Sequence, residues 1–165
     1  MPLTDFSSLP TDARVWVFAC DRPLAAGPAG PFLAQVDAYL AQWKAHGMPL
    51  RCARDWRDDR FLAIGIDPTA EQASGCSIDD LFRRLRGLGD AIGTQVLGGG
   101  RVFYRDARGQ VRSASRAEFS ALAARGDVTA DTPIFDTSVI VADAWRARFE
   151  RRAGDAWTRE LLGVS

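Results

Sequence analysis

R-F-L-A-I-G-I-D-P-T-A-E-Q-A-S-G-C-S-I-D-D-L-F-R-R-L-R-G-L, residues Arg60 to Leu88, is the stretch whose reading decides the fold. Phe61 to Ile66 is an unbroken apolar run, too short for a stable lone helix and halted by Asp67-Pro68. That pattern predicts a strand covered on both faces. Beyond a turn-rich loop, Ile78, Leu81, Phe82, Leu85 and Leu88 fall three or four residues apart and predict an amphipathic helix. Ser77 and Asp80 have the spacing of a capping box, which sets Cys76 at or just before the cap. Unpaired backbone N–H groups and the helix dipole favour negative charge there, a setting suited to a reactive thiol.

Working outward, Arg14 to Cys20 (R-V-W-V-F-A-C) is apolar on both faces and predicts a second central strand. Phe32, Leu33, Val36, Tyr39, Leu40 and Trp43 recur with helical spacing, predicting a helix from Phe32 to His46 that Gly47 stops. Leu50 to Trp56 alternates, with Arg54 interrupting its apolar side, as an edge strand would. Arg57-Asp58-Asp59 then turns into the Phe61 strand. Strand, helix, strand, strand, helix, with a further strand after Gly93, is the order of the split βαβ, or ferredoxin-like, arrangement. The expected fold is α+β: a ferredoxin-like antiparallel sandwich over residues 1–105 and a small hairpin-helix subdomain over 106–165 packed on it.

In the second part, Val102 to Asp106 and Gln110 to Arg112 flank a hairpin turn at Asp106-Ala107-Arg108-Gly109. Ser115 and Glu118 are spaced as a capping box for a helix to Arg125, with Gly126 as its stop. Ile134-Phe135 reads as a short strand, and Val139 to Arg152 as a last helix. Trp157, Leu161 and Leu162 carry too much apolar surface to dangle, so the tail is expected to pack back.

Composition narrows the function classes. Twenty-one basic and twenty-one acidic residues leave no net charge, which disfavours nucleic acid as a principal partner. No stretch approaches the roughly 18 apolar residues that span a bilayer. Met1 to Leu9 lacks the basic start and apolar block of a secretion signal, so a cytoplasmic protein with no membrane association is expected. Cys20, Cys52 and Cys76 form no C-x-x-C pair, and His46 is the single histidine; no metal site and no cofactor are expected. Asp67 ends a strand where metal-dependent enzymes place an acid, yet a lone acid there more often starts a turn. Gly98-Gly99-Gly100-Arg101 does not meet the G-x-x-x-x-G-K-[ST] spacing, so P-loop ATPase chemistry is excluded.

The predicted topology carries the end of the first helix to the same rim as the loop before the second. His46 and Cys76 are then candidate neighbours, a thiol with a base, and Asp79 is a candidate to orient the imidazole, as are Asp67 and Asp80. Against this stands a small packing cysteine and a histidine that only ends a helix. Gly75 and Ser77, beside the thiol, and Trp43 and Trp56, an aromatic wall at the same rim, are candidate ligand-binding residues; core packing is the competing role for both tryptophans.

At D-A-R-V-W-V (Asp12 to Val17), W-K-A-H-G (Trp43 to Gly47), R-F-L-A-I-G-I-D (Arg60 to Asp67) and A-S-G-C-S-I-D (Ala73 to Asp79), nearly the whole chain resembles a family of small uncharacterised bacterial proteins often automatically labelled "ABC transporter ATPase". The resemblance implies emphasis on His46, Gly75, Cys76 and Asp79, but supplies no reaction, and the label conflicts with the missing Walker motif. Gly109 to Phe135 looks like the adaptor modules related to GYF domains, in the cadence G-Q-V, E-F-x-x-L, G-D-V and T-P-I-F. Those modules bind proline-rich peptides; the G-Y-F string is missing here, so only a hairpin-helix-strand shape is implied. Two function classes follow: a non-catalytic module that binds a small molecule or a protein, favoured because no complete catalytic set is visible, and a thiol-dependent enzyme using Cys76 and His46.

Overall fold

The computed structural model describes residues 3–69, 71–97 and 99–163. It is mixed α+β with antiparallel sheets, and the chain divides into two compact units. One comprises Met1–Gly98 with Val139–Trp145, the other Gly99–Ser138 with Arg146–Ser165. Among the described residues no helix is long and apolar enough to cross a membrane.

The first unit runs β1 (Arg14–Cys20), α1 (Ala26–Leu40), a small hairpin of β2 (Lys44–Ala45) and β3 (Met48–Pro49), β4 (Cys52–Arg57), β5 (Phe61–Ile66), α2 (Gly75–Ala91) and β6 (Val96–Leu97). Its sheet has the order β4-β5-β1-β6, and every neighbouring pair is antiparallel. The two runs without polar alternation, β1 and β5, hold the two central positions, and every residue of β5 is buried. Both faces of the sheet are covered, as such runs require. On one, Phe18, Cys20, Leu62, Ile64 and Cys52 pack against Phe32, Val36 and Leu40 of α1 and Leu81 and Leu85 of α2. Alternate positions on the other are small: Val15, Ala53 and Ala63 are fully buried. At Gly65 an added Cβ would lie 2.5 Å from Leu9 Cδ1 and 3.2 Å from Phe6 Cε2. A short 3₁₀ turn, Phe6–Ser8, covers this face.

Arg54 stands where β4 turns toward the helices, and it is satisfied rather than wet. Its Nε and Nη2 donate to the two carboxylate oxygens of Asp37 on α1 at 2.8 and 3.0 Å. That fork geometry makes a polar residue tolerable beside a core.

The first helix differs from its predicted span at both ends. It begins at Ala26, where Pro28 occupies the first turn and forfeits no helical hydrogen bond. It ends at Leu40, and tight bonds from Gln42 N to Tyr39 O and from Trp43 N to Leu40 O follow. Three-residue spacing therefore persists to buried Trp43 after the α-helix has stopped, which is why periodicity overran the end. His46 and Gly47, with φ of 51° and 77°, form the tip of the β2–β3 hairpin. His46 is thus a turn residue and does not close a helix; paired positive φ values are the signature of two-residue hairpin turns.

The second unit holds β7 (Val102–Arg105), β8 (Val111–Ala114), α3 (Arg116–Ala124) and β9 (Pro133–Phe135), then β10 (Glu150–Arg152), in a sheet of order β10-β9-β7-β8. The boundary expected after residue 105 falls earlier, because Val102–Arg105 pairs with β8 and β9. Gly99 and Gly100 precede it with φ of 142° and 86°, and Gly98 lies outside the described residues. Ser115 and Glu118 form the expected capping box. Val102, Phe119, Val128 and Ile134 make the core, and Trp157, Leu161 and Leu162 pack onto it as the tail was expected to do.

The last predicted helix, Val139 to Arg152, is reduced to α4 (Ala142–Arg148). Residues before it pair with the first unit: Ile140 O accepts from Val15 N at 2.9 Å, and Val141 bridges Arg14. Trp145 is fully buried there, its Nε1 donating to Asp55 Oδ2 at 2.8 Å beneath the guanidinium of Arg57. Residues after α4 instead extend the second sheet, where Glu150–Arg152 pairs with β9.

Candidate functional site

The loop between β5 and α2 is built on Asp67. Its Oδ1 accepts from Thr69 N at 2.9 Å and from Thr69 Oγ1 at 2.7 Å, and Oδ2 lies 3.6 Å from Arg51 Nε. The Thr69 hydroxyl and N–H, with Arg51 adding to them, hold the carboxyl below its ordinary range despite opposing burial. Asp67 therefore starts a turn. Among the described residues no cluster of three or more histidine, cysteine or acidic side chains has the spacing to hold a metal.

The helix that follows is capped one turn earlier than the Ser77–Asp80 spacing predicts. Ser74 is the N-cap: its side chain accepts from Ser77 N at 3.1 Å, and Ser77 Oγ accepts from Ser74 N at 2.8 Å. Ser77 is buried, and its carbonyl accepts from Trp43 Nε1 at 2.9 Å, so the early start satisfies both a cap and a core indole. Gly75 and Cys76 are then the first two residues of α2 and not its approach.

Each sequence-predicted candidate now has a place. Cys76 is exposed, whereas Cys20 and Cys52 are buried. Burial, with Asp21 adding to it, pushes the Cys20 thiol up to about 12; burial pushes Cys52 up to about 12 as well. Asp79 is exposed on α2, and His46 is exposed at its hairpin tip. Among the described residues, neither the imidazole nor the Cys76 thiol has a hydrogen-bond or ion-pair partner. Trp43 is a core residue, 3% exposed. Trp56 is half-buried against Phe32, with ring centroids 6.0 Å apart.

A cleft of about 290 Å³ opens beside the same loop, at the end of the sheet where β1 begins. Trp16, Ile66, Pro68, Ala73 and Ile78 supply its apolar walls, and Asp12, Arg14 and Gln72 its polar groups. Arg14 and Trp16 are two apart on β1 and share a face. The Arg14 guanidinium lies 5.2 Å from the Trp16 ring centroid, and Trp43 meets that ring edge-on at 6.1 Å. A cation over indole is favourable and holds the guanidinium beside the Trp16 ring. Neither Asp12 nor Arg14 is ion-paired among the described residues. Cys76 does not line this cleft. The apolar pattern marks Trp16 and Arg14 as strand residues alone; the sequence signal for the cleft is the alternation Asp12, Arg14, Trp16, which puts charge and an indole on one side of a strand start.

Comparison of the chain with protein-family models, with curated proteins and with solved structures gives no match.

Proposed function

We infer that the protein is a non-catalytic binding module, its first unit a ferredoxin-like sandwich that takes a small molecule in the cleft beside Trp16. The split βαβ reading is supported by the sheet order β4-β5-β1-β6, by antiparallel pairing throughout, and by two helices against one face. The binding reading rests on one observation: a concave, mainly apolar site lined by three polar residues, two of them charges with no ion-pair partner among the described residues. A small number of placed polar groups on an apolar lining is the usual make-up of a ligand site. A thermal-shift panel of amino acids, small carboxylic acids, amines and nucleosides tests it. A subset is expected to raise the Tm of the wild type and to have no effect on Trp16→Ala; a flat panel, or equal shifts in both proteins, contradicts the reading.

A thiol-dependent enzyme is the second reading, favoured by the exposure of Cys76 in the first turn of α2 while the other two thiols are buried. If it holds, iodoacetamide modifies Cys76 far faster than Cys20 and Cys52 near neutral pH, and His46→Ala slows that step. An unchanged rate in His46→Ala removes the imidazole from the chemistry.

A further inference from the structure

We propose that the cleft is a receptor for a zwitterion, an α-amino acid with an apolar side chain; this rests on the reading of the cleft as a small-molecule site. Its volume, about 290 Å³, is at the low end for ligand sites, which favours a small occupant. The polar groups divide by charge: one guanidinium at Arg14, one carboxylate at Asp12, and the amide of Gln72, which both donates and accepts. Among the described residues neither charge has an ion-pair partner. A simple anion would pair with Arg14 and face Asp12; a simple cation would do the reverse. A zwitterion satisfies both at once, its carboxylate accepting from Arg14 and its ammonium donating to Asp12. The apolar side chain then packs on Trp16, Ile66 and Ile78.

The test is an NMR titration of the full chain with L-leucine, 4-methylpentanoate, which lacks the ammonium, and 3-methylbutylamine, which lacks the carboxylate. It is read at the Trp16 indole N–H, assigned with Trp16→Phe. L-leucine is expected to move that signal saturably, and each analogue to bind roughly tenfold or more weakly, because one charge is left facing an empty position. Arg14→Gln should weaken L-leucine but not 3-methylbutylamine, which loses a like charge facing it; Asp12→Asn should weaken L-leucine but not 4-methylpentanoate, for the same reason. Both residues are exposed, and the other four indole signals report that the variants are folded. An analogue that matches L-leucine, or variants without effect, overturns the zwitterion and leaves the cleft reading intact. No movement with any of the three probes overturns the zwitterion as well, and if the thermal-shift panel is also flat, the cleft reading falls with it.

Discussion

Asp67 shows how one side chain does structural work that a lone acid at a strand end does not advertise. Its carboxylate closes a turn through the hydroxyl and N–H of Thr69, and the turn delivers Pro68, Gln72 and Ala73 to the cleft. Because the folded carboxyl is held below its ordinary value, its contribution to stability is fully present above the unfolded value, about 3.9. That contribution is lost as pH falls through the lower folded value. Thr69→Val removes the hydroxyl and keeps the N–H. It is expected to cost about 1–2 kcal/mol in urea unfolding at pH 7, with the loss shrinking as pH falls below about 4. An equal loss at pH 3 and pH 7 would mean that packing, and not the charge, is what the substitution disturbs.

Gly89 shows the limit of propensity at the level of an element. It lies inside α2 and is buried; an added Cβ would be 2.8 Å from the Thr94 carbonyl oxygen and 2.8 Å from Val96 Cγ2. Alanine gains up to about 1 kcal/mol of helix propensity over glycine. Displacing backbone costs about 1–3 kcal/mol, so Gly89→Ala should lower stability by up to about 2 kcal/mol in the same assay. A stabilised variant would show that the lead-in to β6 gives way freely.

The elements that dominate the first unit were legible for a simple reason: β1, β5 and α2 are set by apolar pattern, and burial follows pattern. What escaped was set by contacts far off in sequence. The β2–β3 hairpin hides because Trp43 continues the helical spacing of α1 past its end. Ile140–Val141 pairs with the start of β1, a partner far off in the chain that no local window sees. For the site, the loop was legible and the cleft was not. A cysteine beside a helix cap has a local sequence signature, whereas Arg14 and Trp16 belong to a strand whose concave end exists only once β5, α2 and β1 are side by side.

Over the whole chain, two compact units share a sequence that crosses between them more than once. Trp145 belongs to the first while the residues immediately after it belong to the second, so neither unit is a contiguous stretch. Balanced charge fits a protein whose recognition is local and not driven by a broad field. The claim that such recognition happens beside Trp16 is tested most directly by mapping backbone amide shifts over all residues, using any panel member that raises the Tm. The largest changes are expected in Asp12–Trp16 and Ile66–Ile78. Changes centred on the His46 hairpin, or confined to the second unit, would contradict it.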